Sequence, residues 1–137
     1  MSRLGHIAHR HRRLLLLACV LLWVTLMVAT HLPPERMPRT RLSDKFLHAL
    51  GYFGLAAIFW STLRAHELPG RVRVACVFFA AAAYAAVDEI TQPMVGRSAS
   101  LGDWAADILG AAAALAVCEL LSIALTRRPG RNTPPAP

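Results

Sequence analysis

Charge is scarce in this chain. Only 17% of its 137 residues are charged, against about a quarter in an ordinary soluble domain, and long stretches carry none. With 55% of the residues hydrophobic, that shortage excludes both a typical soluble domain and a disordered chain. Cysteine is scarce too: Cys19, Cys76 and Cys118 each sit inside an apolar block, which excludes a disulfide-stapled secreted domain and reads them as small core hydrophobes. The recognised catalytic signatures H-E-x-x-H, G-x-S-x-G and a glycine-rich phosphate loop are missing. Acids are fewer than bases, eight against fifteen, for a formal charge of +7. The bases lie in short clusters between apolar blocks rather than as a patch on one folded surface, so nucleic acid is not an expected partner.

What is present is four apolar blocks, Leu14 to Thr30, Phe46 to Leu63, Val72 to Val87 and Trp104 to Leu125. Each approaches the ~20 residues that a helix needs to cross a bilayer. They are rich in Ala and Leu without period-2 alternation, and a helix alone satisfies its own backbone in lipid. The expected fold is therefore an all-α membrane protein, a bundle of four transmembrane helices in contact with the lipid bilayer. The alanines of the third block suit close helix packing. The first block resembles a signal peptide in its flanking arginines, but no A-x-A cleavage site follows it, and a retained helix is the working expectation. Residues 1–13 form a basic amino-terminal segment, 14–125 the membrane domain and 126–137 a polar, proline-rich tail expected to be disordered. Ten of the fifteen basic residues fall in the amino terminus, the second loop and the carboxyl end; the positive-inside rule then puts both termini in the cytoplasm.

The chemistry-bearing residues gather at the three helix ends that this topology places outside. Asp44, Lys45, His48 and Tyr52 enter the second helix; Asp88, Glu89 and Gln92 leave the third; Arg97, Ser100, Asp103, Asp107 and Gly110 lead into the fourth. At about 100° per residue, Asp44, His48 and Tyr52 share one stripe, and Asp103, Asp107 and Gly110 another. Several of these residues have a purely structural reading. Ser100 with Asp103 resembles a capping box, Asp44 complements a helix dipole, Lys45 can snorkel, His48 can be a core histidine and Arg97 a solvated turn residue. Asp88 and Glu89 resist such a reading, because a helix carboxyl end disfavours anions by about 0.3–1 kcal/mol each. An unpaired Asp107 inside the fourth block costs about 2.5–3.5 kcal/mol near mid-helix and less toward the surface. Lys45, His48 and Arg97 are the cationic residues at that depth, so a mixed acid and base cluster is expected. Glu119, near the other end, is expected to snorkel or to pair with a terminal arginine.

The pattern D-K-x-x-H-x-x-x-Y, then D-E-x-x-Q, G-R-x-x-S and D-x-x-x-D-x-x-G, running from Asp44 to Gly110 over about half the chain, closely resembles the VanZ-like family of small bacterial membrane proteins. The resemblance implies a bundle of transmembrane helices in the bacterial inner membrane. It also implies a link to the cell envelope, the founding member being associated with low-level resistance to the glycopeptide teicoplanin. Its characteristic residues match at Asp44, Lys45, His48, Tyr52, Asp88, Glu89, Gln92, Arg97, Asp103 and Gly110. Asp107 departs from it, standing where the family often has Asn.

The leading functional expectation is an outward-facing site that binds an anionic or lipid-linked envelope component, such as a cell-wall precursor or lipid headgroup. Lys45 and Arg97 would contact the anion beside two outward helix amino ends, with Gln92, Asp103, Asp107 and Tyr52 completing the site. The alternative is an enzyme acting on a lipid headgroup, with His48 as acid or base, Asp44 or Asp88 orienting its imidazole, and Glu89 nearby. A further alternative, ion or proton transport, requires a polar path across the membrane, whereas these acids cluster near one surface. His48, Asp88, Glu89 and Asp103 offer hard metal ligands, yet one histidine among carboxylates on separate helices is a weak signature. No metal or cofactor is expected.

Overall fold

In a computed structural model, which describes residues 11–36 and 41–126, four helices account for most of the described backbone. They are α1 (Arg12–Thr30), α2 (Asp44–Ala65), α3 (Gly70–Thr91) and α4 (Leu101–Thr126), with short 3-10 turns at Pro34–Arg36 and Gln92–Val95. No strand occurs among the described residues. All four helices are long and apolar enough to cross a membrane; α2 and α3, at 22 residues each, span about 33 Å. The basic residues before His11 and the tail after Thr126 lie outside the described residues.

The helices outrun the apolar blocks. α3 continues from Val87 through Asp88, Glu89 and Thr91, because these polar side chains find partners within the bundle and need not leave the helix to be solvated. α2 likewise begins at Asp44, where the Ser43 Oγ caps it by accepting the Phe46 N–H at 3.3 Å.

Successive helices run in opposite directions, so the end of α1, the start of α2, the end of α3 and the start of α4 meet at one pole of the bundle. α2, α3 and α4 share a core of Tyr52, Ala56 and Trp60, Val77, Ala81 and Ala85, and Ala111, Ala114 and Leu115. The four-residue spacing of His48, Tyr52, Ala56 and Trp60, and of Val77, Ala81, Ala85 and Glu89, makes each set one buried stripe. The stripes that pack the helices therefore end in the polar residues of the pole. Small residues let α2 and α4 approach closely: a Cβ on Gly110 would lie 2.1 Å from the Ala49 carbonyl oxygen. Leucines and other large apolar side chains such as Leu17, Leu21, Phe79 and Leu120 face outward, as a lipid-embedded bundle requires.

α1 is peripheral, with no buried residue. It leans on α2 where Leu26 covers Gly51, and on α3 where Trp23 meets Tyr84 edge-on at 5.8 Å. The cysteines meet the core expectation only in part: Cys118 packs against the core. All three are free, Cys76 is exposed on the outer face of α3, and Cys19 and Cys118 are half-buried.

Candidate functional site

The polar pole is assembled in two tiers. The outer tier is a pair of ion pairs that tie helix ends together. Lys45 Nζ donates to Asp103 Oδ1 at 2.9 Å, joining α2 to α4. Arg97 Nη2 donates to Asp44 Oδ2 at 3.1 Å, bringing the loop between α3 and α4 back over α2. That loop returns because Pro93 cannot extend the α-helical ladder and because Gly96, at φ 79°, takes the left-handed conformation that closes the 3-10 turn. Ser100 Oγ then accepts the Asp103 N–H at 3.3 Å. The Asp103 carboxylate goes to Lys45 instead of returning to Ser100, whose own N–H donates to Glu89 Oε2 of α3. The capping arrangement is thus completed from a neighbouring helix.

The inner tier is buried. His48 and Glu89 are 6% exposed, Asp88 1% and Asp107 0%. His48 Nδ1 lies 3.0 Å from Asp107 Oδ1. With Asp107 ionised and the imidazole neutral, the proton sits on Nδ1, because a carboxylate only accepts, and the lone pair is left on Nε2. Asp107, rather than Asp44 or Asp88, is therefore the carboxylate that orients His48. Asp88 receives a hydrogen bond from Thr30 Oγ1 at 2.7 Å and one from Gln92 Nε2 at 3.2 Å, and it faces His31 Nδ1 at 3.5 Å. Glu89 shares the Gln92 amide at 3.3 Å. Tyr52 lies one turn deeper than His48, stacked on Tyr84 with ring centroids 5.8 Å apart.

All ten residues singled out as site candidates, Asp44, Lys45, His48, Tyr52, Asp88, Glu89, Gln92, Arg97, Asp103 and Asp107, thus lie at this pole or one turn below it. Lys45 and Arg97 are engaged with acids rather than standing apart as an anion pair. Three contributors went unrecognised in the sequence. Thr30 and His31 close α1 over Asp88, and Thr91 Oγ1 holds His31 Nε2 at 2.9 Å. The available signal was a Thr-His pair at the end of an apolar block.

Two cavities flank the inner tier. One of about 690 Å³ lies between α1 and α3, walled by Trp23, Met27, Val28, Tyr84 and Val87 and ending at His31, Arg36, Asp88 and Thr91. The other, of about 300 Å³, lies between α3 and α4 and reaches Glu89 past Ile90, Leu101 and Trp104.

The opposite pole is simpler. Glu119 Oε1 accepts from Arg73 Nη2 and from Trp60 Nε1, both at 2.8 Å, and the Arg73 guanidinium lies 4.6 Å from the Trp60 ring centroid. Among the described residues the partner of Glu119 is Arg73 of α3; the terminal arginines, the partner expected as an alternative to snorkelling, lie outside the described residues.

Family models, curated proteins and solved structures yield no match to this chain.

Proposed function

We propose that the chain is a VanZ-like, multi-pass protein of the bacterial inner membrane whose polar pole binds the headgroup of an anionic, lipid-linked envelope component. The observation that carries this reading is the cavity between α1 and α3, with an aromatic and aliphatic wall and a polar end at Arg36, His31, Thr91 and Asp88. That is the shape of an amphiphile, with an apolar body along the helices and a polar head at the rim. Lys45 has a 62% exposed side chain, so its ammonium can meet a phosphate while remaining near Asp103. The D-K-x-x-H, D-E-x-x-Q and D-x-x-x-D residues converge on one site, and this supports the VanZ-like reading; a link to teicoplanin resistance is part of the same proposal.

Polyprenyl phosphate titrated into the protein in nanodiscs, followed by native mass spectrometry against phosphatidylglycerol, tests the reading. Saturable binding weakened at least tenfold by Lys45→Ala and by Trp23→Ala is expected; binding indifferent to both variants would refute it. On this reading the polar pole faces outside and both termini lie in the cytoplasm, which the basic residues Arg12, Arg13, Arg64, Arg71 and Arg73 at the other end support. Ser98→Cys should then react with an impermeant maleimide in intact cells and Glu67→Cys should not.

The His48 and Asp107 pair supports a second reading, in which the site turns over the headgroup with His48 as acid or base. Release of phosphate from polyprenyl phosphate, abolished by His48→Gln with binding retained, would distinguish catalysis from binding.

A further inference from the structure

The inner tier holds more negative charge than its neighbours compensate. Among the described residues the arginine and lysine ion pairs go to Asp44, Asp103 and Glu119. Asp88 and Glu89 are served by a threonine hydroxyl, a glutamine amide and a backbone N–H, with the His31 imidazole 3.5 Å from Asp88. Both sit in the last turn of α3, where the helix dipole adds to the repulsion. Among the described residues, Asp107 Oδ2, on the carboxylate that holds His48, is buried with no hydrogen-bond partner, and so is the Tyr52 hydroxyl. Asp107 and Tyr52 are 0% and 1% exposed, and Tyr52 feels the charges of Asp107, Asp88 and Glu89. A buried carboxylate oxygen in this state calls for a cation or a donor.

We propose that His48, Asp88 and Glu89 form a site for one hard divalent metal ion that also accepts imidazole, such as Mn²⁺, with Asp107 holding the imidazole from behind. One potential ligand atom from each of the three lies within 4.8 Å of the others. Donors on opposite sides of an ion bound at about 2.0–2.4 Å stand about 4–4.8 Å apart. A ligating imidazole characteristically donates its second ring N–H to a carboxylate, which is the relation of His48 Nδ1 to Asp107. One imidazole with carboxylates matches Mn²⁺ better than a purely oxygen-seeking or thiol-seeking ion. Asp44, His48 and Asp103 are equally close together, but Arg97 and Lys45 already neutralise Asp44 and Asp103. Through Asp88 and Glu89, both flanking cavities reach the site. Ligation through Nε2 uses the lone pair that an acid–base His48 needs, so the ion and the catalytic reading are alternatives. The ion site stands independently of headgroup binding.

The test is MnCl₂ titrated into the full chain, purified in detergent and stripped with EDTA, with no lipid-linked ligand present. Calorimetry and electron paramagnetic resonance should find one Mn²⁺ per chain. Asp88→Asn and Glu89→Gln should each weaken binding at least tenfold, Asp107→Asn by about 10–100-fold, and Glu119→Gln at the other pole not at all. The wild-type Mn²⁺ signal should carry a nitrogen coupling from one imidazole, which tests ligation even where a variant misfolds. Three results would overturn the site: no binding by helical, monodisperse wild type, absence of the nitrogen coupling, or binding lost in Asp44→Asn or Asp103→Asn but kept in Asp88→Asn and Glu89→Gln.

Discussion

The two poles of the bundle treat a carboxylate in opposite ways. At one, Glu119 is paired with Arg73, bonded by the Trp60 indole and shielded by stacked cation and ring. At the other, Asp88, Glu89 and Asp107 crowd around the imidazoles of His48 and His31 with no lysine or arginine ion pair, and an Asp107 oxygen goes without a partner among the described residues. An acid that only holds helices together has its charge matched. Acids left unmatched in a bundle that matches charge elsewhere mark a place kept for something else.

The comparison can be broken by removing what both poles depend on. Gly110→Ala pushes a methyl group into the Ala49 backbone and separates α2 from α4. Overpacking against backbone rather than a movable side chain should cost about 3 kcal/mol, read as a fall in the unfolding midpoint in detergent. Glu119→Ala strands Arg73, which is 5% exposed, and should cost about 2–3 kcal/mol, less than a fully buried pair because Glu119 is partly exposed. Lys45→Ala removes a rim pair and should cost about 1 kcal/mol or less, while headgroup binding falls far more than stability does. That split separates a binding cation from a structural one.

Much of this organisation was legible in the residues. The apolar blocks marked all four helices, and the 3.6-residue period put His48 with Tyr52 and Asp103 with Asp107 and Gly110 on inward stripes. The misplaced acids at a helix carboxyl end, Asp88 and Glu89, correctly signalled a need for partners. The partners themselves were not legible. Thr30 and His31 reach Asp88 only because α1 packs across α3, and local periodicity carries no information about which helices become neighbours. For the same reason Glu119 turned out to meet Arg73 of α3. Hydropathy also ended α3 at Val87, since it cannot register polar residues that stay helical because the bundle satisfies them. Cys76 faces outward rather than into the core because in lipid an apolar residue gains nothing by facing inward.

The most direct test of the contrast between the poles is the sign of the stability change when a carboxylate is made neutral at each, in chelator-treated protein. Glu119→Gln should lower the unfolding midpoint by weakening its tie to Arg73. Asp88→Asn should leave the midpoint unchanged or raise it by relieving repulsion, as neutralising a residue kept for function often does. Opposite signs would support a structural clamp at one end and a binding site at the other. Equal destabilisation by both substitutions would contradict it, making Asp88 a structural acid like Glu119.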